Sequence, residues 1–168
     1  DNSYLNSANT HYAVLENSSD NFAGIGNVGY LDGLAVTANA EYKISFFMKA
    51  DNYKGDVKIS LRDGKGNVYA EAKVSGITNE WYKYETKLVP NKTVNDDLYL
   101  YVEITKGTVC VDMISMMPTD TYKGLPIRKD LGEALEALNP SFLRFPGGCV
   151  IEGRSIESMY SWKDSIGD

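Results

Sequence analysis

From the first residues to about Pro118 the apolar positions recur with a period of two, in short runs separated by Gly, Asn and Asp. Alternation of this kind is the pattern of antiparallel strands with one buried face. Tyr42, Ile44, Phe46 and Met48 alternate with Lys43, Ser45, Phe47 and Lys49, and Val57, Ile59 and Leu61 alternate with Lys58, Ser60 and Arg62. The run Asp63-Gly64-Lys65-Gly66-Asn67 predicts a turn that returns the chain into Val68–Ala72 as a hairpin. Further strands are predicted over Trp81–Leu88, Leu98–Ile104 and Val109–Met116. Their even spacing is that of a sandwich or jelly roll, so residues 1–118 are predicted to form a mainly β domain.

After Pro118 the period changes. Leu131, Ala134, Leu135 and Leu138 fall at helical spacing within 128–138, and Asn139-Pro140 ends the helix. Ser141–Phe145 is a short apolar run closed by Pro146-Gly147-Gly148, which predicts one buried strand of a parallel α/β sheet. Residues 119–168 therefore read as a linker, a helix and a strand, too few elements to close a barrel.

Composition removes several function classes. Seventeen Lys and Arg against 23 Asp and Glu leave a net charge of −6, with no basic block to attract nucleic acid or anionic lipid. No apolar run approaches the roughly 20 residues of a membrane span, and the opening Asp1-Asn2-Ser3-Tyr4 does not read as a signal peptide. His11, the single histidine, excludes histidine-cluster zinc sites and leaves a serine or cysteine nucleophile without a base. Cys110 lies in an alternating strand and Cys149 in a Gly-Gly turn, and no disulfide is expected between them.

The segment Phe142-Leu143-Arg144-Phe145-Pro146-Gly147-Gly148-Cys149-Val150-Ile151-Glu152-Gly153, followed by Tyr160, Trp162-Lys163 and Ile166-Gly167, resembles glycoside hydrolase family 51 α-L-arabinofuranosidases. There it corresponds to the second strand of a (β/α)₈ barrel and the loop after it. Tyr42–Phe46, Asn79–Tyr84 and Val111–Ser115 resemble carbohydrate-binding modules of the family 4/9 type, a galactose-binding-like jelly roll. The resemblance implies a sandwich followed by a helix-strand piece of a barrel. In the whole enzyme it implies retaining release of terminal arabinofuranosyl groups from arabinan or arabinoxylan, with secretion or periplasmic export.

For the site, the resemblance implies that Gly147, Gly148 and Cys149 line the arabinofuranosyl subsite and that Arg144 braces the strand end. Retaining glycosidases use two carboxylates about 5–5.5 Å apart. The resemblance puts both beyond Asp168, in the remainder of the barrel, so these 168 residues alone are expected to be inactive. Asn79-Glu80 imitates the Asn-Glu pair of such enzymes but stands at a turn, and Glu152 and Glu157 read as solvated loop charges.

On the sandwich, burial of Leu98, Leu100 and Val102 turns Tyr99 and Tyr101 outward, and the same alternation turns Phe47 outward. These aromatics are the candidates for stacking on sugar rings. The competing readings are a free-standing carbohydrate-binding module and an architectural sandwich that binds no sugar. No cofactor is expected. Asp112 matches a place where modules of this fold hold a structural calcium, and a hydrogen-bonded carboxylate is the favoured alternative there.

Overall fold

The computed structural model describes residues 4–7, 9–29, 33–144, 147–161 and 163. Eight strands are formed: β1 (Ala13–Asn17), β2 (Ala23–Asn27), β3 (Tyr42–Lys49), β4 (Val57–Asp63), β5 (Val68–Val74), β6 (Tyr82–Leu88), β7 (Leu98–Ile104) and β8 (Gly107–Pro118). They make two antiparallel four-stranded sheets, a first in the order β1-β8-β3-β6 and a second in the order β2-β7-β4-β5.

The alternation seen in the sequence decides which rows face inward. Ile44, Phe46 and Met48 of β3 oppose Val57, Ile59 and Leu61 of β4 in one core, joined by Leu98, Val102 and Ile104 of β7 and Val109 and Val111 of β8. Each of these side chains is at most 1% exposed. Removing such rows from water is the main force holding the two sheets together.

Two strands carry no usable sequence signal. β2 is Ala-Gly-Ile-Gly-Asn and exposed throughout, and β1 buries only Leu15 and Asn17. Asn17 donates its Nδ2 hydrogens to Asn21 O at 2.7 Å and Ile104 O at 2.8 Å. A polar side chain thus ties the β1–β2 connection to β7.

In β8 the register shifts opposite Phe46, where Met113 adopts φ 52° and its N–H is accepted by Asp112 Oδ1 at 2.8 Å. This is a β-bulge with a side-chain clasp.

The chain divides into two compact units, Asp1–Lys129 and Asp130–Asp168. The segment after β8 belongs with the sandwich. Thr119 donates its N–H to Glu41 O at 2.9 Å, and Lys129 Nζ lies 3.0 Å from Asp120 Oδ2.

The second unit holds α1 (Lys129–Ala137) and the short α2 (Cys149–Glu152). The strand expected over 141–145 is not formed in its described part: residues 141–144 join no ladder, and Phe142 and Leu143 are 83% and 86% exposed. A lone extended run has no backbone partners to make it a strand, and none of the described residues supplies them.

Candidate functional site

The outward rows of the second sheet are built by β7 and β4 side by side. Register places Lys58 opposite Glu103, Ser60 opposite Tyr101 and Arg62 opposite Tyr99. On the far side of β7, Gly24 and Gly26 of β2 oppose Glu103 and Tyr101. A methyl group added to Gly26 would come within 2.6 Å of the Tyr101 ring, so glycine is what lets that ring lie over β2.

Charge and aromatic groups alternate across this face. Glu103, 7% exposed, takes Arg62 Nη2 at 2.9 Å on one oxygen and Lys58 Nζ at 3.1 Å on the other. The Arg62 guanidinium stacks 3.9 Å from the Tyr101 ring centroid, and Lys58 Nζ lies 4.3 Å from that of Phe22. Tyr99 and Tyr101 meet edge to face at 6.5 Å, and Tyr99 OH donates to Asp97 Oδ1 at 2.9 Å.

Below this layer Ser60 is fully buried although it stands on an outward row. Ser60 Oγ, Arg62 Nε and Glu103 Oε2 are buried without a satisfactory hydrogen bond; Glu103 Oε2 keeps only its ion pair. All three occur on this one face. Buried polar groups are costly unless paired, so Ser60 Oγ and Arg62 Nε are the two positions on this face where a bound water or ligand would find an open partner.

Structure therefore brings Tyr99 and Tyr101 together and adds Lys58, Ser60, Arg62 and Glu103 from the outward rows of β4 and β7, and Phe22 from the residue before β2. Phe47 is half-buried on the first sheet, opposite Asp112 and Lys83. It faces away from the two tyrosines, because the two sheets turn their outer surfaces in opposite directions.

Asp112 is engaged by the bulge amide of Met113. Among the described residues no group of three or more His, Cys, Asp or Glu side chains gathers into a metal site. Asp112 thus has a structural partner in the Met113 amide.

Glu80 sits in the turn before β6, where Thr78 Oγ1 donates to its carbonyl and Thr78 N donates to Tyr84 OH at 2.9 Å.

In the second unit, Arg144 lies over Gly147: a methyl group there would stand 3.4 Å from Arg144 Nε. Gly148 has φ 90°, a left-handed conformation open to glycine, and its carbonyl accepts the N–H groups of Ile151 and Glu152 to start α2. Phe145, Pro146, Trp162, Ile166 and Gly167 lie outside the described residues, as does the side chain of Cys149. Glu152 is exposed. Glu157 is also exposed, and the Ser155 hydroxyl beside it holds its carboxyl below the usual range.

Comparison with known proteins assigns both units. Residues 3–109 match the model of a carbohydrate binding domain, and residues 134–168 that of the alpha-L-arabinofuranosidase 1 domain. Alpha-L-arabinofuranosidase 2 of Arabidopsis thaliana is 32% identical over 147 residues, which are 85% of this chain and 22% of that protein. An extracellular exo-alpha-L-arabinofuranosidase of Streptomyces chartreusis is 30% identical over 97% of this chain and 20% of its own length. An arabinose-bound family 51 α-L-arabinofuranosidase superposes on the whole chain with a TM-score of 0.85 at 26% identity, over 29% of that chain. The chain thus spans about a fifth to under a third of the relatives it matches.

Proposed function

Since the chain belongs to the carbohydrate-binding domain family over residues 3–109 and corresponds to a segment of family 51 α-L-arabinofuranosidases, we propose that it serves an enzyme removing terminal arabinofuranosyl groups from arabinan or arabinoxylan. The superposition of sandwich and tail together on an arabinose-bound enzyme carries this reading. A sandwich alone would be shared by many unrelated functions.

In this reading the 168 residues contribute the accessory sandwich and one wall of the sugar subsite, around Arg144, Gly147, Gly148 and Cys149. Neither catalytic carboxylate is among them. Retention of configuration requires a nucleophile and an acid/base that face one sugar from two sides. Glu80 belongs to a sandwich turn and Glu152 and Glu157 are exposed residues of the tail, which fits catalytic carboxylates supplied by the rest of the enzyme. The name of the Streptomyces relative supports export of the whole enzyme.

Hydrolysis of an aryl α-L-arabinofuranoside tests the assignment. The whole enzyme is expected to release the phenol and this chain by itself to release none. Inactivity of the whole enzyme on that substrate, together with turnover of a different glycoside, would overturn the assignment.

The outer face of the second sheet supports a second role, binding of the polysaccharide chain. Its cluster of Tyr99, Tyr101, Arg62 and Glu103 over a buried Ser60 favours this over a purely architectural sandwich. Isothermal titration with arabino-oligosaccharides should give heat with the native chain and none with Tyr101→Ala. Silence from both proteins would leave the architectural reading.

A further inference from the structure

The outer face of the first sheet carries a feature that the tyrosine face does not use. β1 and β6 are the opposite edges of this sheet, with β8 and β3 between them. Even so, Tyr12, just before β1, and Trp81, just before β6, reach across and meet edge to face, with ring centroids 5.3 Å apart and planes at 77°. Lys49 Nζ lies 5.1 Å from the Trp81 ring and 5.5 Å from the Tyr12 ring.

Beside this group opens a cavity of about 360 Å³ lined by Lys49, Ala50, Asp51, Asn79, Thr108 and Cys110. That size is at the lower end of sites for small ligands, which run from about 300 to 1,000 Å³.

The lining has a definite chemistry. Lys49 donates, Asp51 accepts, and Asn79 and Thr108 can do both, while one cation and one anion balance each other. Short groups of mixed polarity beside an aromatic border suit a ring whose hydroxyls both donate and accept and whose C–H face is apolar. A balanced charge gives no preference to uronates or phosphates.

We propose that this cavity is a glycan subsite that takes one neutral sugar residue, with Tyr12 and Trp81 as its aromatic border and Lys49, Asp51 and Asn79 as its hydrogen-bonding groups. The proposal rests on the carbohydrate-binding role of the sandwich.

Position makes it separate from the tyrosine face and from the recess under the segment after β8. The segment after β8 packs over the opposite end of the same sheet, in a recess lined by Lys43, Ser45, Met117 and Leu125. From Lys43 to Lys49 the strand runs roughly 20 Å. Tyr101 and Arg62 lie on the other sheet. The two outer faces can therefore hold different stretches of glycan at once.

Cys110 supplies a reporter, because its thiol lines the cavity and burial pushes its pKa above the ordinary thiol value. In the full chain carrying Cys149→Ser, alkylation of Cys110 by N-ethylmaleimide at alkaline pH is followed with and without arabinotriose or xylotriose. At ten times the dissociation constant the labelling rate should fall about tenfold. Tyr101→Ala should leave that protection intact, whereas Trp81→Ala and Asn79→Ala should each remove it, with the fold checked by circular dichroism.

Unchanged labelling at saturating trisaccharide, alongside Tyr101-dependent binding heat, would overturn the subsite and leave the tyrosine face standing. Loss of both signals would overturn the carbohydrate-binding reading as a whole. Stronger protection by trigalacturonic acid than by either neutral trisaccharide would overturn the neutral-sugar assignment.

Discussion

Glu103 shows how one side chain can depend on its neighbours across a sheet. In the sequence it is an outward position of an alternating strand, which reads as a solvated charge. Pairing of β7 with β4 sets it between Lys58 and Arg62, and stacking of Arg62 on Tyr101 closes over it until 7% remains exposed. Replacing a carboxylate held by two partly covered cations leaves those cations without a counter-charge. Glu103→Gln is expected to cost about 2 kcal/mol of stability, discounted from the full buried-pair value because both cations keep some solvent. Urea denaturation reads this directly, and an unchanged midpoint and slope would contradict it. The tyrosines were legible because alternation fixes which side of a strand they occupy. Ser60, Arg62 and Glu103 were not, since burial of an outward polar residue depends on which side chains cross over it.

At the scale of the element, the β4–β5 hairpin is the part most completely encoded by its own residues. Asp63 Oδ1 accepts the N–H of Lys65 at 2.9 Å and of Asn67 at 2.8 Å, while Oδ2 accepts from Asn67 Nδ2 at 2.8 Å and Tyr69 OH at 3.1 Å. The Asn67 side-chain hydrogen bond is the chief cause holding the Asp63 carboxyl below its ordinary value. A carboxyl whose pKa is lowered by folding contributes stability that is fully present above its unfolded value and lost as pH falls through the folded one. The hairpin is therefore expected to loosen in acid. Asp63→Asn should lower the melting temperature at neutral pH and flatten its fall on acidification, as followed by differential scanning calorimetry; parallel acid profiles would refute the assignment. The β8 bulge is different. Met113 is an ordinary residue with a positive φ, and only its place opposite Phe46 reveals why the strand needs an extra residue there.

For the molecule as a whole, the tail presents apolar surface in quantity. Leu131, Leu135 and Leu138, set at helical spacing, are 51%, 62% and 74% exposed, and Phe142 and Leu143 are more so. Contiguous exposed apolar surface of this kind marks an interaction site. The chain alone is expected to self-associate as its concentration rises, and Leu135→Glu with Leu138→Glu should reduce that, as read by light scattering behind size exclusion. Equal masses at all concentrations for both proteins would rule it out. Sequence by itself determined the inward rows of most strands, the Asp63 turn, the helix predicted over 128–138 and formed over Lys129–Ala137, and the Gly147-Gly148 motif, because each is written in neighbouring residues through a period, a turn or a conformational need. Only the tertiary structure decided the partition of strands between sheets, and with it the separation of Phe47 from Tyr99 and Tyr101 and the meeting of Tyr12 with Trp81. Such pairings join segments far apart in the chain, and local periodicity says which way a side chain points without saying what stands opposite.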